Sequence, residues 1–189
     1  MEEGRVAIAR ARHAAVYPAR FMFLAATNPC PCGYAGEGER CRCSEADLAR
    51  HRRRLSGPLL DRIDLLANLQ ATHGDDLATE PVTSSKATRE LVSDARDRQR
   101  ARLAGERVCL NAHMDVPALT RHVRLDATGE GLVRDAARRG LLSARGVHRV
   151  LRVARTIADV EGSGRVRARD VAGALALRCE AALAAGAER

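Results

Sequence analysis

Four cysteines fall within one short stretch, Cys30, Cys32, Cys41 and Cys43, in the pattern C-x-C-G-x7-C-x-C. No other feature limits the chain's folding choices as tightly. Thiols this close in sequence either cross-link, close around a metal, or sit reduced on a surface. The opening residues MEEGRVAIAR carry no secretory signal. A disulfide framework is therefore disfavoured and a cytoplasmic location is expected. Four thiolates can complete a tetrahedral zinc shell, and the glycines at 33, 36 and 38 let the chain turn back on itself. Arg40 and Arg42 are expected to lower the thiol pKa values. The alternative is four reduced surface cysteines. Either way the role is structural, because a closed four-cysteine shell leaves no position for a substrate. Cys109 and Cys179 stand apart and read as core thiols.

The segments around this cluster read as α/β, and the rest of the chain as all-α. Residues 4–10 (GRVAIAR) alternate in the manner of a strand, and Val16-Tyr17-Pro18 is extended because the residue before proline avoids the helical region. The two can pair as a hairpin with residues 10–15 at its tip. Residues 21–26 (FMFLAA) form a continuous apolar run, as in a buried strand of a parallel sheet, ending at Thr27-Asn28-Pro29. Ser44 and Asp47 form an imperfect capping box for a basic helix through Arg54. His51 and Arg52-Arg53-Arg54 read as its solvated face. After a Ser-Gly-Pro break, residues 63–69 return to an apolar strand.

Residues 1–70 thus form one expected domain, 71–83 a polar linker, and 84–189 a helical domain. In the last, Ser84 or Ser85 caps a helix through about residue 103. A second helix covers 131–138, a third 143–161 and a last one 168–185. Val147, Val150, Leu151, Ala154, Ile157 and Ala158 line one face of the third; Arg149, Arg152 and Asp159 lie off it, and Gly162 closes it.

Aromatic residues make up 2% of the chain and there is no Trp, so Ala, Leu, Val and Ile must build the core. No apolar run is long enough to span a membrane. The net charge of +8 suits a polyanion such as DNA or RNA, yet Lys86 is the only lysine. A G+C-rich coding bias toward Arg and Ala explains the charge as well as function does. The single lysine also excludes a G-x-x-x-x-G-K-[ST] phosphate loop, because it directly follows Ser85. No Ser-His-Asp arrangement or paired-carboxylate spacing stands out.

Three isolated residues have two readings each. Asn28 can orient a water or sense a phosphate, or make an Asx turn before Pro29. Arg62, between Asp61 and Asp64, can reach a phosphoryl oxygen or form a surface ion pair. Arg145 begins a helix, where anions are attracted, or is simply solvated.

Taken together, AATNPCPCGY, the CRC pair, RLSGPLLDRIDL and LLSARGVHRVLRVARTIADVEGS resemble the C-terminal part of a magnesium-chelatase-like AAA+ ATPase of the ComM/YifB family. The resemblance is collinear over nearly the whole chain. It implies a partial AAA+ core followed by a helical lid. Asn28 would be the sensor-1 residue that positions the attacking water, Arg62 the arginine finger of a neighbouring subunit's site, and Arg145 the sensor-2 residue of the lid. The hairpin would face a central pore, with Arg10, Arg12 and His13 near its tip touching DNA. The resemblance further implies a hexameric ring, ATP and magnesium as cofactors in a shared site, and DNA branch migration during natural transformation. The phosphate loop, the magnesium-binding strand and an N-terminal protease-like domain are expected to lie outside this chain, making it a fragment inactive by itself. Val147 stands where the family has an aromatic residue. Two other readings are a non-enzymatic zinc-binding module for nucleic acid or protein, and a magnesium-chelatase subunit.

Overall fold

The computed structural model describes residues 4–10, 13–19, 21–54, 57–69 and 83–186, without the side chains of 57, 58 and 179–186. The chain divides into two compact units, Met1–Ile63 and Asp64–Arg189. Most of the proposed linker, residues 71–82, lies outside the described residues.

In the first unit, β1 (Arg5–Arg10) and β2 (His13–Pro18) pair antiparallel, with Val6 opposite Tyr17, Ile8 opposite Ala15 and Arg10 opposite His13. The hairpin is as expected, but its tip is tighter, because Ala14 and Ala15 belong to the ladder. Residues 21–26 depart from expectation. They form no strand, and Phe21, Met22, Phe23 and Leu24 are all exposed. A strand exists only through ladder partners, and the one described sheet has two strands that pair with each other. Residues 63–69 lack a ladder for the same reason.

Helix α1 (Glu45–Arg54) begins as the capping box requires. The Ser44 hydroxyl accepts the Asp47 N–H at 3.2 Å, and the Asp47 carboxylate accepts the Ser44 N–H at 3.2 Å. A short helix α2 (Gly57–Asp61) follows.

The second unit is helical: α3 (Ser85–Arg102), α4 (Val116–His122), α5 (Ala127–Arg138), α6 (Ala144–Val160) and α7 (Ala168–Gly186). Ser84, Asp115, Asp126 and Ser143 each accept a backbone N–H three residues on, which sets four of the five starts. Helix α4 was not expected from the periodicity, although Asp115 followed by Pro117 is a start signal. Gly162 has φ 68° and ends α6, with its N–H bonded to Asp159 O and the Ser163 N–H to Ala158 O.

The core contains Val150, Ala154 and Ala158 of α6, Val171 and Ala174 of α7, and Leu103, Met114 and Leu119. With few large side chains, the helices must approach closely. A Cβ on Gly173 of α7 would meet Ile157 Cδ1 at 3.4 Å. The order α/β then all-α thus holds, consistent with a partial AAA+ core followed by a helical lid.

Two residues set off the apolar stripe of α6 are buried rather than solvated: Arg149 and Asp159. Asp159 accepts both terminal nitrogens of Arg102 at 2.7 and 2.6 Å, Arg155 Nη2 at 3.1 Å and Asn111 Nδ2 at 2.8 Å. Arg155 also donates to the carbonyls of Ser163 and Gly164. Burial pushes its pKa down while Asp159 holds it up. Arg149 donates to Asp64 at 2.6 Å, and the Leu66 N–H bonds to Leu177 O at 2.7 Å, which fastens this part of the 63–69 segment to the helical unit. Cys109 corrects another expectation. It is exposed, because it lies in the turn after α3 and outside the packed faces.

Removing the central carboxylate leaves a buried guanidinium short of its nearest counter-charge. Asp159→Ala is expected to destabilise the helical unit by about 3–5 kcal/mol. Urea unfolding followed by circular dichroism measures this, and a loss below about 1 kcal/mol would contradict the account.

Candidate metal centre and site residues

The Cys30–Cys43 loop is built from turns. The Gly33 N–H bonds to Cys30 O at 3.1 Å, and Gly33 takes φ 88°, which a side chain would resist. A 3₁₀ turn, Gly38–Arg40, then returns the chain, with the Cys41 N–H on Gly38 O at 3.2 Å. All four sulfurs come together. Cys30 Sγ lies 3.3 Å from Cys32 Sγ and 3.9 Å from Cys41 Sγ, Cys32 and Cys41 are 3.7 Å apart, and every pair is within 4.8 Å. A tetrahedron with Zn–S bonds near 2.3 Å has sulfurs about 3.8 Å apart. The cluster therefore fits a four-thiolate metal shell with small adjustments. Cys30 is buried and the other three are half-buried.

The loop's electrostatics differ from the expectation for Arg40 and Arg42. Cys32 is lowered to about 6 first by the Tyr34 N–H, then by the Cys30 thiol and the Arg42 N–H. Arg42 thus acts through its backbone. The Arg40 guanidinium is engaged with Glu37 at 2.5 Å and lies 4.4 Å over the Tyr34 ring. Cys43 receives the Cys32 N–H, which favours its thiolate. Crowding by the Cys32 sulfur, burial and Cys30 outweigh this and push it up to about 12. Cys41 is likewise raised, because the Cys43 N–H is outweighed by burial and the neighbouring sulfurs.

Asn28 is exposed and immediately precedes this loop. Its carbonyl accepts a hydrogen bond from His51 Nε2 at 2.8 Å, so that nitrogen carries the proton. A Cβ on Gly33 would lie 3.9 Å from Asn28 Nδ2. His51, read from sequence as part of a solvated face, is half-buried and takes part in the site. Its place two helical turns after the Ser44 cap was the available signal. Arg62 follows α2 and is exposed; its N–H bonds to Leu59 O at 2.9 Å. Asp64 lies in the other unit with Arg149. Arg145 is exposed in the first turn of α6, where Ser143 Oγ already caps the Gly146 N–H. Asn28 and Arg62 belong to one unit and Arg145 to the other. Arg10 and His13 face each other at the turn end of the hairpin, both exposed, and Arg12 lies outside the described residues.

The helical lid and the cysteine-bearing unit both match one group of proteins. The family described as magnesium chelatase, subunit ChlI C-terminal, matches residues 82–178, and that described as magnesium chelatase, subunit ChlI, matches residues 1–77. The chain belongs to this magnesium-chelatase-like family. It is 37% identical over 178 residues to an uncharacterized protein of Mycobacterium tuberculosis, covering 94% of this chain and 35% of that protein. It is 34% identical over 180 residues to the competence protein ComM of Haemophilus influenzae, covering 94% and 34%. It is 35% identical over 165 residues to the uncharacterized protein YifB of Escherichia coli, covering 86% and 32%. The chain spans about a third of the length of these relatives. Among the described residues, no helix is long and apolar enough to cross a membrane.

The pKa ordering gives a direct test. In metal-free protein, alkylation of Cys32 by iodoacetamide should rise through about pH 6, whereas Cys41 and Cys43 react only at higher pH. Peptide mapping by mass spectrometry across the pH range reads each site. Equal profiles for the three thiols would contradict the assignment.

Proposed function

We propose that this chain is the sensor, finger and lid portion of a ring-forming AAA+ ATPase that moves DNA, of the ComM/YifB kind. The observation that carries the reading is the collinear match of both units to one family, covering residues 1–77 and 82–178. The name of the Haemophilus relative, a competence protein, favours DNA as the partner.

The residues present suit part of a nucleotide site. Arg62 and Arg145 are exposed cations, and Arg145 stands at a helix start, where anions are favoured. No phosphate-cradling glycine loop with its lysine occurs in the sequence. ATP with magnesium supplies a phosphoryl group that builds charge on its oxygens during transfer. In this reading Asn28 orients the water. The Arg62 fork meets the developing charge on a neighbouring subunit, and Arg145 couples the lid to the phosphates. The phosphate loop and the magnesium-binding carboxylates come from outside this chain, so the chain alone does not hydrolyse ATP. The ring is hexameric, and the hairpin tip with Arg10, Arg12 and His13 tracks the DNA backbone without reading bases.

The cysteine cluster holds zinc and stiffens the loop. Its sulfur spacing is the observation behind this, and the compartment implied is the reducing cytoplasm. That geometry also favours a second reading, a zinc-binding module that contacts nucleic acid or protein without hydrolysis.

Two measurements separate these readings. Purified chain should carry about one zinc, and Cys30→Ser/Cys43→Ser should abolish it in metal analysis. Equal zinc in both would remove the metal assignment. When the chain is joined to the nucleotide-binding portion of a longer relative, Arg62→Ala should cut ATP turnover about 10³-fold or more while nucleotide binding persists. Turnover that survives this change would overturn the finger role, and a fusion with zinc but no turnover would favour the non-enzymatic module.

A further inference from the structure

The exposed Asn28 sits on a segment without a sheet ladder, so something else must fix it if it is to orient a reactant. One hydrogen bond from a distant residue reaches it: His51 Nε2 donates to its backbone carbonyl at 2.8 Å. Thr27 Oγ1 adds a hydrogen bond to the same carbonyl at 3.2 Å. Gly33 stands beside its side chain, where an added Cβ would lie 3.9 Å from Nδ2. The His51 bond and the Gly33 turn both trace back to the cysteine loop. Gly33 follows Cys32 directly, and its N–H closes the turn on Cys30 O. Cys43 directly precedes Ser44, whose hydroxyl and N–H start the helix that carries His51. Pro29 and Pro31 remove backbone freedom between Asn28 and Cys32.

We infer that His51 and the four-cysteine loop form one positioning device for Asn28. In it, the metal held by Cys30, Cys32, Cys41 and Cys43 fixes both the turn beside Asn28 and the helix whose His51 holds its backbone carbonyl. The metal-bound loop fixes residues 30–33 at one end and the start of α1 at the other. His51 is a positioning residue: it touches Asn28 and no reactant. The importance of Asn28 to hydrolysis rests on the proposed function above, but the mechanical link between metal, His51 and Asn28 does not. The four-cysteine loop is then more than a local staple, because metal loss would loosen a residue outside the ligand set. A nearby loop that merely stabilised itself would leave Asn28 unchanged.

The test uses the whole 189-residue chain loaded with zinc chloride, with NMR of His51 and of the Asn28 side-chain amide. With zinc bound, a slowly exchanging His51 Nε2 proton and Asn28 backbone-carbonyl and side-chain amide shifts displaced from those of an unstructured chain are expected. Removal of zinc by a chelator should erase the first and return the second toward unstructured values, while α6 signals stay in place. His51→Ala should keep the zinc and still move the Asn28 signals toward unstructured values. His51→Gln retains an N–H donor and should restore them at least in part. Asn28 signals that ignore both zinc removal and His51→Ala would overturn the inference, and chelation tests it even if His51→Ala folds poorly. In the fusion carrying a nucleotide-binding portion, His51→Ala should lower kcat roughly tenfold to a hundredfold with little change in KM. Unchanged kcat in a fusion that Asn28→Ala inactivates would refute the positioning role alone. A fusion indifferent to Asn28→Ala would refute the reading of Asn28 while leaving the measured link intact.

Discussion

A single buried carboxylate organises the helical unit. Asp159 gathers Arg102 from α3, Arg155 from its own helix and Asn111 from the 3₁₀ turn Asn111–His113. Its own backbone carbonyl accepts Arg98 at 2.9 Å. Such a network is costly to bury unless its members are satisfied; here the carboxylate oxygens are saturated by donors, while Arg102 Nε and Arg155 Nε are buried without an acceptor among the described residues. The reason for it lies in the composition. A core of Ala and Val offers close helix approach but little specificity of register, because small side chains slide past one another readily. Directional bonds to one carboxylate fix the register that the apolar contacts leave open.

The other unit uses a different solution to the same shortage. Apart from Cys30, its described apolar side chains are at best half-buried, and the hairpin exposes Val6, Ile8, Val16 and Tyr17. A two-stranded hairpin with both faces exposed has little stability of its own. Order in this unit therefore rests on turns, a capping box and the convergence of four sulfurs. A metal at that point would contribute what a core supplies elsewhere, as in other small domains that fold around an ion.

Local signals were legible where the interaction is local. The Ser44–Asp47 box, the caps at Ser84 and Ser143 and the Gly162 stop all appear as the residue types predict, since each needs only neighbours in sequence. The apolar stripe of α6 was visible through its period. The failures share a cause as well. Residues 21–26 and 63–69 have strand-like composition, but a strand is defined by a partner, and composition does not supply one. Arg149 and Asp159 lie off the apolar stripe, and only tertiary pairing makes their burial, and that of Arg155, tolerable. His51 stands beside three arginines, so its charge-rich neighbourhood concealed a contact made to a residue 23 positions away. The gathering of Cys30, Cys32, Cys41 and Cys43 was readable because their spacing alone limits how far apart they can lie. The roles of Asn28, Arg62 and Arg145 were not readable from local chemistry, because each depends on groups supplied from elsewhere.

The arginine excess takes on a different meaning once the helical unit is in view. Arg102, Arg149 and Arg155 are matched by Asp159 and Asp64, while Arg152 is spent on the Met114 carbonyl at 3.0 and 2.6 Å. Guanidinium suits these tasks better than ammonium, since its planar fork can serve two acceptors at once and is less strongly hydrated. A bias toward arginine in the coding sequence would therefore be exploited inside the protein, in cross-links that lysine would make poorly. A net charge of +8 is consequently a poor measure of attraction to a polyanion. What matters is where exposed basic side chains are presented together. The hairpin end offers Arg10 beside His13, and the last turn of α1 offers Arg52, Arg53 and Arg54 in succession. The first ends a two-stranded ribbon. The second lies on a helix whose other end is tied to the cysteine loop. Attraction at the first would load the hairpin, and attraction at the second would pull on the helix that carries His51 and its bond to Asn28.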